Sequence, residues 1–376
     1  MHKKMGSSAI NLATIINRQK KVNAQLPFTI TFDEYLDPEQ KEYEVQFAEE
    51  INHRIKNRSL LREYRNCFGR IINTDNTRQL FSLYGPGEIA PNQETKKFRQ
   101  LHTLATHKPA SKLTQYIWQC ELARVKNLPE KQGVLFTAGG TGAGKTTSLK
   151  TVDTDTKQYD LYYDGNLNNL PKAIKKIDEA LAVGEAVTIV YIYRHIMEAL
   201  ENGTLPRAER TGRTVPINAH LETHQGALET IINLLEHYQN DKRVTIGIID
   251  NSLGRGNAKQ VELKDFIKKQ VEWYKEIKRY TKNDFEKTIR HKLGISAETK
   301  QGSLKGIERL AANPSKTESV SGERKSPPRV ENKGRQDNRT DVQEPKQVRQ
   351  KERAVPQQQT VEVEQMVRNL NNIKRG

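Results

Sequence analysis

The chain has 376 residues, of which 35% are hydrophobic and 29% charged, and its formal net charge is +16. That length admits one large or two modest domains, and so polar a balance implies that part of the chain does not pack into a core. Two cysteines, Cys67 and Cys120, exclude a disulfide framework and a four-ligand zinc site, and no window reaches the roughly 18 apolar residues that span a bilayer. Met1–Lys21 begins basic but has no apolar core of signal-peptide length, so a cytoplasmic protein with reduced thiols is expected. The basic excess favours phosphate-bearing partners, either nucleotide, nucleic acid or an anionic surface.

Residues 1–127 read as a mostly helical accessory region behind a short lead. Asp37 and Pro38 form an N-cap and first-turn pair, followed by Tyr43, Phe47, Ile51 and Ile55 at helical spacing. A second helix is expected from a Ser111 cap, with Leu113, Ile117, Cys120 and Val125 near one face. Between them the segment FGRIINTDNTRQLFSLYGPGEIAPNQET is broken by Gly and Pro and reads as loops with short elements. His102 and His107 stand five apart, a spacing more typical of surface or satisfied core histidines than of ligands.

From about residue 128 to 295 the pattern changes to strands separated by helices. GVLFTAG, YDLYYDG, AVTIVYIYR and RVTIGIIDNS read as buried strands, and LPKAIKKIDEALAVG and ETHQGALETIINLLEHYQ as helices. The expected fold is α/β, a P-loop nucleotide-kinase-like parallel sheet with helices on both faces. Residues 259–293 then form one long basic amphipathic run, expected as a helix packed on the sheet domain with a Lys-rich outer face open to nucleic-acid contact. Residues 312–376 carry almost no apolar side chains and read as a disordered basic tail, closed by a short apolar-spaced piece, VEVEQMVRNLNNI.

Gly139-Gly140-Thr141-Gly142-Ala143-Gly144-Lys145-Thr146 fits G-x-x-x-x-G-K-[ST], placed between a strand and a helix as the motif requires. The glycines let backbone N–H groups approach phosphate oxygens, and the helix N-terminus adds positive potential. Lys145 is expected on the β- and γ-phosphates, Thr146 on Mg²⁺ and Thr147 near the α-phosphate. This loop alone does not choose among kinase, motor and GTPase. TKND at 281–284 lies in a helical pattern rather than at a strand end, against guanine specificity, and YDLYYDGN lacks the Asp-Glu pair a motor would use to activate water. Asp164, at a strand end, is placed to coordinate Mg²⁺ or to accept a proton from a substrate hydroxyl. Arg207, Arg210 and Arg213 follow at three-residue spacing, compatible with one helix face, where they would neutralise charge on a transferring phosphoryl group.

These residues together resemble the zeta toxin family of P-loop kinases. The resemblance rests on FTAGGTGAGKTT, YYDGNL, VTIVYIYR and LPRAERTGRTVPINAHLETHQGAL followed by IIDNS, over about residues 130–255. It implies ATP and Mg²⁺ as donor and metal, Lys145 and Thr146 as their contacts, and Arg210 and Arg213, with Arg207, as phosphate clamps. It further implies a small-molecule acceptor of the UDP-N-acetylglucosamine type and an antitoxin partner. The chain departs from the family in one respect: only 19 residues separate Lys145 from Asp164, where the family inserts a further strand bearing the catalytic aspartate. Asp164 matches a later acidic strand end, so the base is Asp164, Asp153 or Asp155, or is absent. The alternative function is a nucleotide-gated nucleic-acid-binding or scaffold protein of a mobile element, using the basic helix and tail.

Overall fold

A computed structural model describes residues 11–85, 91–152 and 154–292; the tail at 312–376 and Asp153 lie outside the described residues. Helix α1 (Leu12–Asn23) starts where the Asn11 side chain accepts from the Ala13 and Thr14 amides. Helix α2 (Pro38–Lys56) begins as expected, with Asp37 accepting from the Gln40 N–H and Pro38 in the first turn, and it buries Val45, Phe47, Ala48 and Ile51. Helix α3 (Leu60–Phe68) stops at Gly69, whose positive φ turns the chain into strand β1 (Ile71–Ile72). Asn73 caps the short α4 (Thr74–Arg78), and α5 (Gln93–His102) and α6 (His107–Lys126) follow. The last starts before the Ser111 cap expected from sequence, at His107, because Pro109 fits its first turn.

The next elements are β2 (Val134–Ala138), α7 (Lys145–Thr151), β3 (Leu161–Asp164), α8 (Leu170–Ala182) and β4 (Val187–Tyr193). Helix α9 (Ile196–Ala199) runs through a π-turn at Leu200–Thr204 into α10 (Leu205–Thr211), and α11 (Ile217–His237) precedes β5 (Val244–Asp250). The basic run expected as one helix divides into β6 (Lys259–Val261), α12 (Leu263–Arg279) and α13 (Lys282–Lys292). The break after Tyr280 has a local cause: the Asp284 carboxylate accepts from the Thr281 N–H at 2.8 Å and its hydroxyl at 2.7 Å, which caps a new helix.

The six strands lie in the order β1-β3-β2-β4-β5-β6, parallel except for β6. The P-loop strand β2 is central, between β3 and β4. The edge position beside β3 is taken by β1, from far upstream, with Ile71 opposite Tyr162 and Ile72 opposite Tyr163. The strands are apolar on both sides, as burial on two faces requires. One face packs on the large core of α2, α6, α8, α11 and α12; on the other, Leu149 of α7 joins Leu135, Tyr162, Ile192 and Ile249. All five parallel strands end on one edge, where ligands bind in such sheets.

Helix α6 fastens the N-terminal helices to this sheet. Trp118 is fully buried, packs edge-on against Phe136 and Tyr163, and donates its indole N–H to Glu179 of α8 at 2.7 Å. Trp118→Ala is expected to lower stability by about 3–5 kcal/mol and to leave one cooperative transition in a denaturant titration. Two separated transitions in the wild-type protein would show instead that the helical region and the sheet fold independently.

Candidate functional site

The P-loop between β2 and α7 has the backbone that a phosphate cradle needs. Gly139, Gly142 and Gly144 all have positive φ, and Gly144 caps α7 in the left-handed conformation. The loop is also crowded: a Cβ on Gly140 would overlap the His224 ring, and one on Gly139 the Ile192 carbonyl. Neighbouring strand and helix ends hold it in shape. Thr223 accepts from the Thr141 N–H at 3.1 Å, and His224 donates Nε2–H to the Thr141 carbonyl at 3.0 Å. Arg194 donates to the Gly142 carbonyl at 3.1 Å, and Asn251 to that of Ala143 at 2.8 Å. These contacts fix the loop backbone at Thr141, Gly142 and Ala143, just ahead of the start of α7.

Lys145 Nζ donates to Asn166 Oδ1 at 2.8 Å and to the Gly139 carbonyl at 3.4 Å. Burial pushes its ammonium below the ordinary lysine value, and the nearby Asp164 carboxylate pulls it partly back. Asp164 itself is held on both oxygens: Thr137 donates its hydroxyl to one at 2.8 Å, and Asn73 its amide to the other at 3.3 Å. Lys145, Thr146, Thr147 and Asp164 line a single cleft of about 1470 Å³, as do Arg207, Arg210 and Arg213. The three arginines do not share a helix: α10 ends at Thr211 with Gly212 in the left-handed conformation, so Arg213 lies beyond it. That turn is fixed from the N-terminal region, where the buried Arg99 donates to the carbonyls of Tyr84 at 2.8 Å, Gly85 at 3.0 Å and Thr211 at 3.4 Å.

The structure adds a carboxylate that the sequence reading passed over. Asp75, on α4 just past the end of β1, enters the cleft and pairs with Arg213. Its other oxygen takes the Arg78 guanidinium at 3.1 Å, and Arg78 in turn donates to His107 Nδ1 at 3.0 Å. Burial disfavours the charge on Asp75, but Arg213, Arg78, Arg207 and Lys145 outweigh it and bring the carboxyl down to about 2. By contrast, Asp155 is exposed, spends its carboxylate on the Lys157 amide of a short turn, and is not among the cleft residues. The residues missed here are Asp75, Asn73 and Arg78 from upstream, and Asn166, Arg194, His224 and Asn251 from the sheet domain. The one sequence signal for Asp75 was the shortness of the segment from Lys145 to Asp164, which leaves an edge strand to be supplied from elsewhere.

Among the described residues no group of three or more His, Cys, Asp or Glu side chains could cage a metal. Thr146 and Asp164 in a phosphate cleft fit Mg²⁺, which draws much of its coordination from phosphates and water. No described helix is long and apolar enough to cross a membrane.

A comparison with protein families matches residues 154–254 to the family model described as Zeta toxin, about a quarter of the chain. The match spans β3, β4, β5 and the arginine segment, and begins after the P-loop. No curated protein matches the chain. The α/β fold, the P-loop and the zeta toxin similarity together support a kinase-like nucleotide-binding function.

His220 and His224, one turn apart on α11, sit under the loop with ring centroids 4.7 Å apart. Both are buried, which holds His220 down to about 4 and His224 well below the ordinary histidine value. The unfolded chain takes up these protons near pH 6.5, so stability falls as pH drops from about 6.5 towards 4. His220 alone is expected to account for roughly 3 kcal/mol of that loss. Urea titrations at pH 7 and pH 4.5 check this: His220→Gln should lose clearly less stability than wild type on acidification, and an equal loss would contradict it.

Proposed function

We propose that the chain is an ATP-dependent kinase that transfers the γ-phosphoryl group to a hydroxyl of a small-molecule acceptor. The observation that carries this reading is the meeting, in one cleft, of the P-loop, three arginines and two carboxylates at the ends of adjacent strands. Nucleotide binding alone would not require two differently held carboxylates beside the P-loop lysine.

The roles follow from how each group is held. The P-loop amides and Lys145 would take the donor phosphates, and Thr146 with Asp164 would hold Mg²⁺, which would supply positive charge against the phosphates. Asp164, fixed by Thr137 and Asn73, suits a metal or metal-water contact. Asp75 is the base. Its proton affinity is low because Arg213 and Arg78 pair with it. A bound γ-phosphate competes for Arg213, and losing that partner raises the basicity of Asp75. Asp75 then takes the proton from the acceptor hydroxyl as the hydroxyl oxygen bonds to the γ-phosphorus. The bond from that phosphorus to the β,γ-bridging oxygen breaks, and ADP leaves with the electron pair. Arg207, Arg210 and Arg213 spread the charge on the transferring group.

The similarity to zeta toxins extends the proposal to a cytoplasmic protein held in check by an antitoxin, and makes nucleotide-sugar acceptors the first to try. Phosphoryl transfer from labelled ATP to a metabolite pool tests the reading. Lys145→Ala is expected to abolish transfer. Asp75→Asn is expected to lower kcat by about 10²–10⁴ with little change in the KM for ATP. Asp164→Asn is expected to raise the Mg²⁺ concentration required. Tight ATP binding without transfer to any acceptor would overturn the kinase reading, and full activity in Asp75→Asn would remove Asp75 as the base.

A further inference from the structure

The cleft extends well past the P-loop and the arginine segment. Its far wall is formed by α6, by Tyr163 at the end of β3 and by the first turns of α8. On that wall stand Lys172 and Lys176, one helical turn apart on the same face of α8, and both line the cleft. Neither is used by the phosphoryl-donor machinery described above.

Lys176 is placed in an unusual way. Its ammonium lies 4.6 Å from the Tyr163 ring centroid and 5.5 Å from that of Trp118. The nearest carboxylate, Glu179, is engaged by the Trp118 indole at 2.7 Å, and among the described residues neither lysine makes an ion pair. Burial brings the Lys176 ammonium down to about 8, with Glu179 only partly restoring it. An ammonium over two rings, whose neighbouring carboxylate is engaged by an indole and makes no ion pair with it, is incompletely solvated, and an anion arriving in the cleft would complete it.

The charge of the whole cleft points the same way. Its lining holds ten Lys and Arg side chains against five Asp and Glu. Asp75 is already paired with Arg78 and Arg213, and Asp33 with Lys108 at 3.6 Å. An ATP–Mg²⁺ complex carries about two negative charges and would occupy the P-loop end. Of the ten, Lys172 and Lys176 stand on α8, outside the P-loop and the arginine segment, and are left for the second ligand.

We infer that Lys172 and Lys176 form a second anion subsite, which binds a phosphate-ester or carboxylate group of the acceptor and so orients its hydroxyl toward the donor. The acceptor is therefore an anionic small molecule, not a neutral sugar or an amine. The identification of this ligand as the acceptor rests on the kinase reading; the subsite itself does not.

The test measures binding without turnover. With a non-hydrolysable ATP analogue and Mg²⁺ saturating the P-loop, inorganic phosphate and acetate are titrated in separate arms by calorimetry. Wild type is expected to bind one of the two saturably, with an affinity that falls as salt rises, and the arm that binds names the anion. Lys172→Gln/Lys176→Gln is expected to weaken that binding about tenfold or more with ATP-analogue affinity unchanged, while Lys172→Arg/Lys176→Arg retains it. Lys172 is exposed, so Lys172→Gln alone, expected to weaken binding severalfold, gives a reading even if changes at Lys176 disturb folding. Absence of saturable binding of either anion, or equal affinity in the Gln variants, would overturn the subsite. Loss of phosphoryl transfer with anion binding retained would instead count against the kinase reading and leave the subsite standing.

Discussion

The pairing of two residues, Ile71 and Ile72, against Tyr162 and Tyr163 determines what this molecule is able to do. A parallel strand of that length contributes little stability of its own. Its consequence is positional: it places the end of β1 at the same edge as the P-loop and the ends of β3, β4 and β5. The chain that leaves β1 turns at once into α4, where Asn73 reaches Asp164 and Asp75 reaches Arg213. The helical N-terminal region therefore builds part of the site. Trp118 and Arg99 anchor it, one to the sheet and the other to the end of the arginine helix.

The second theme is charge held in balance before any ligand arrives. Lys145, Asp164, Asp75, Arg78 and Arg213 all line one cleft, and each is paired or hydrogen-bonded to a neighbour. Such a network is costly if one member is removed and nothing replaces it. It is also ready to exchange partners. In the proposed kinase, a triphosphate would offer oxygens to Lys145 and Arg213 that compete with Asn166 and Asp75, so donor binding and the strengthening of Asp75 as a base would become one event. A ligand that fills only part of the cradle would leave Arg213 on Asp75.

How much of this was legible in the sequence depends on the range of the interaction involved. The P-loop, the β-branched strands and the Asp37-Pro38 helix start are local patterns, and each lies where the residues indicated. The division of the 259–293 run was missed because a Thr281–Asp284 cap is only a few residues long and interrupts an otherwise continuous apolar period. Asp75 was missed for a different reason. A two-residue strand has no periodicity, RIINTDN looks like any polar turn, and its partner strand begins about ninety residues downstream. Sequence spacing did reveal a gap, in the short segment from Lys145 to Asp164, but spacing cannot say which distant segment fills it. The arginine spacing suggested one helix face, whereas Gly212 ends the helix and sends Arg213 to the carboxylate.

The central claim is that Asp75, from upstream of the P-loop, is the carboxylate that faces the transferring phosphoryl group. A crystal structure with a non-hydrolysable ATP analogue and Mg²⁺ tests it most directly. The account predicts that Arg213 leaves Asp75 for the γ-phosphate and that the Asp75 carboxylate lies one hydroxyl group away from the γ-phosphorus, on the side opposite the β,γ-bridge. A γ-phosphate directed away from Asp75, with the Asp75–Arg213 pair unchanged, would contradict it.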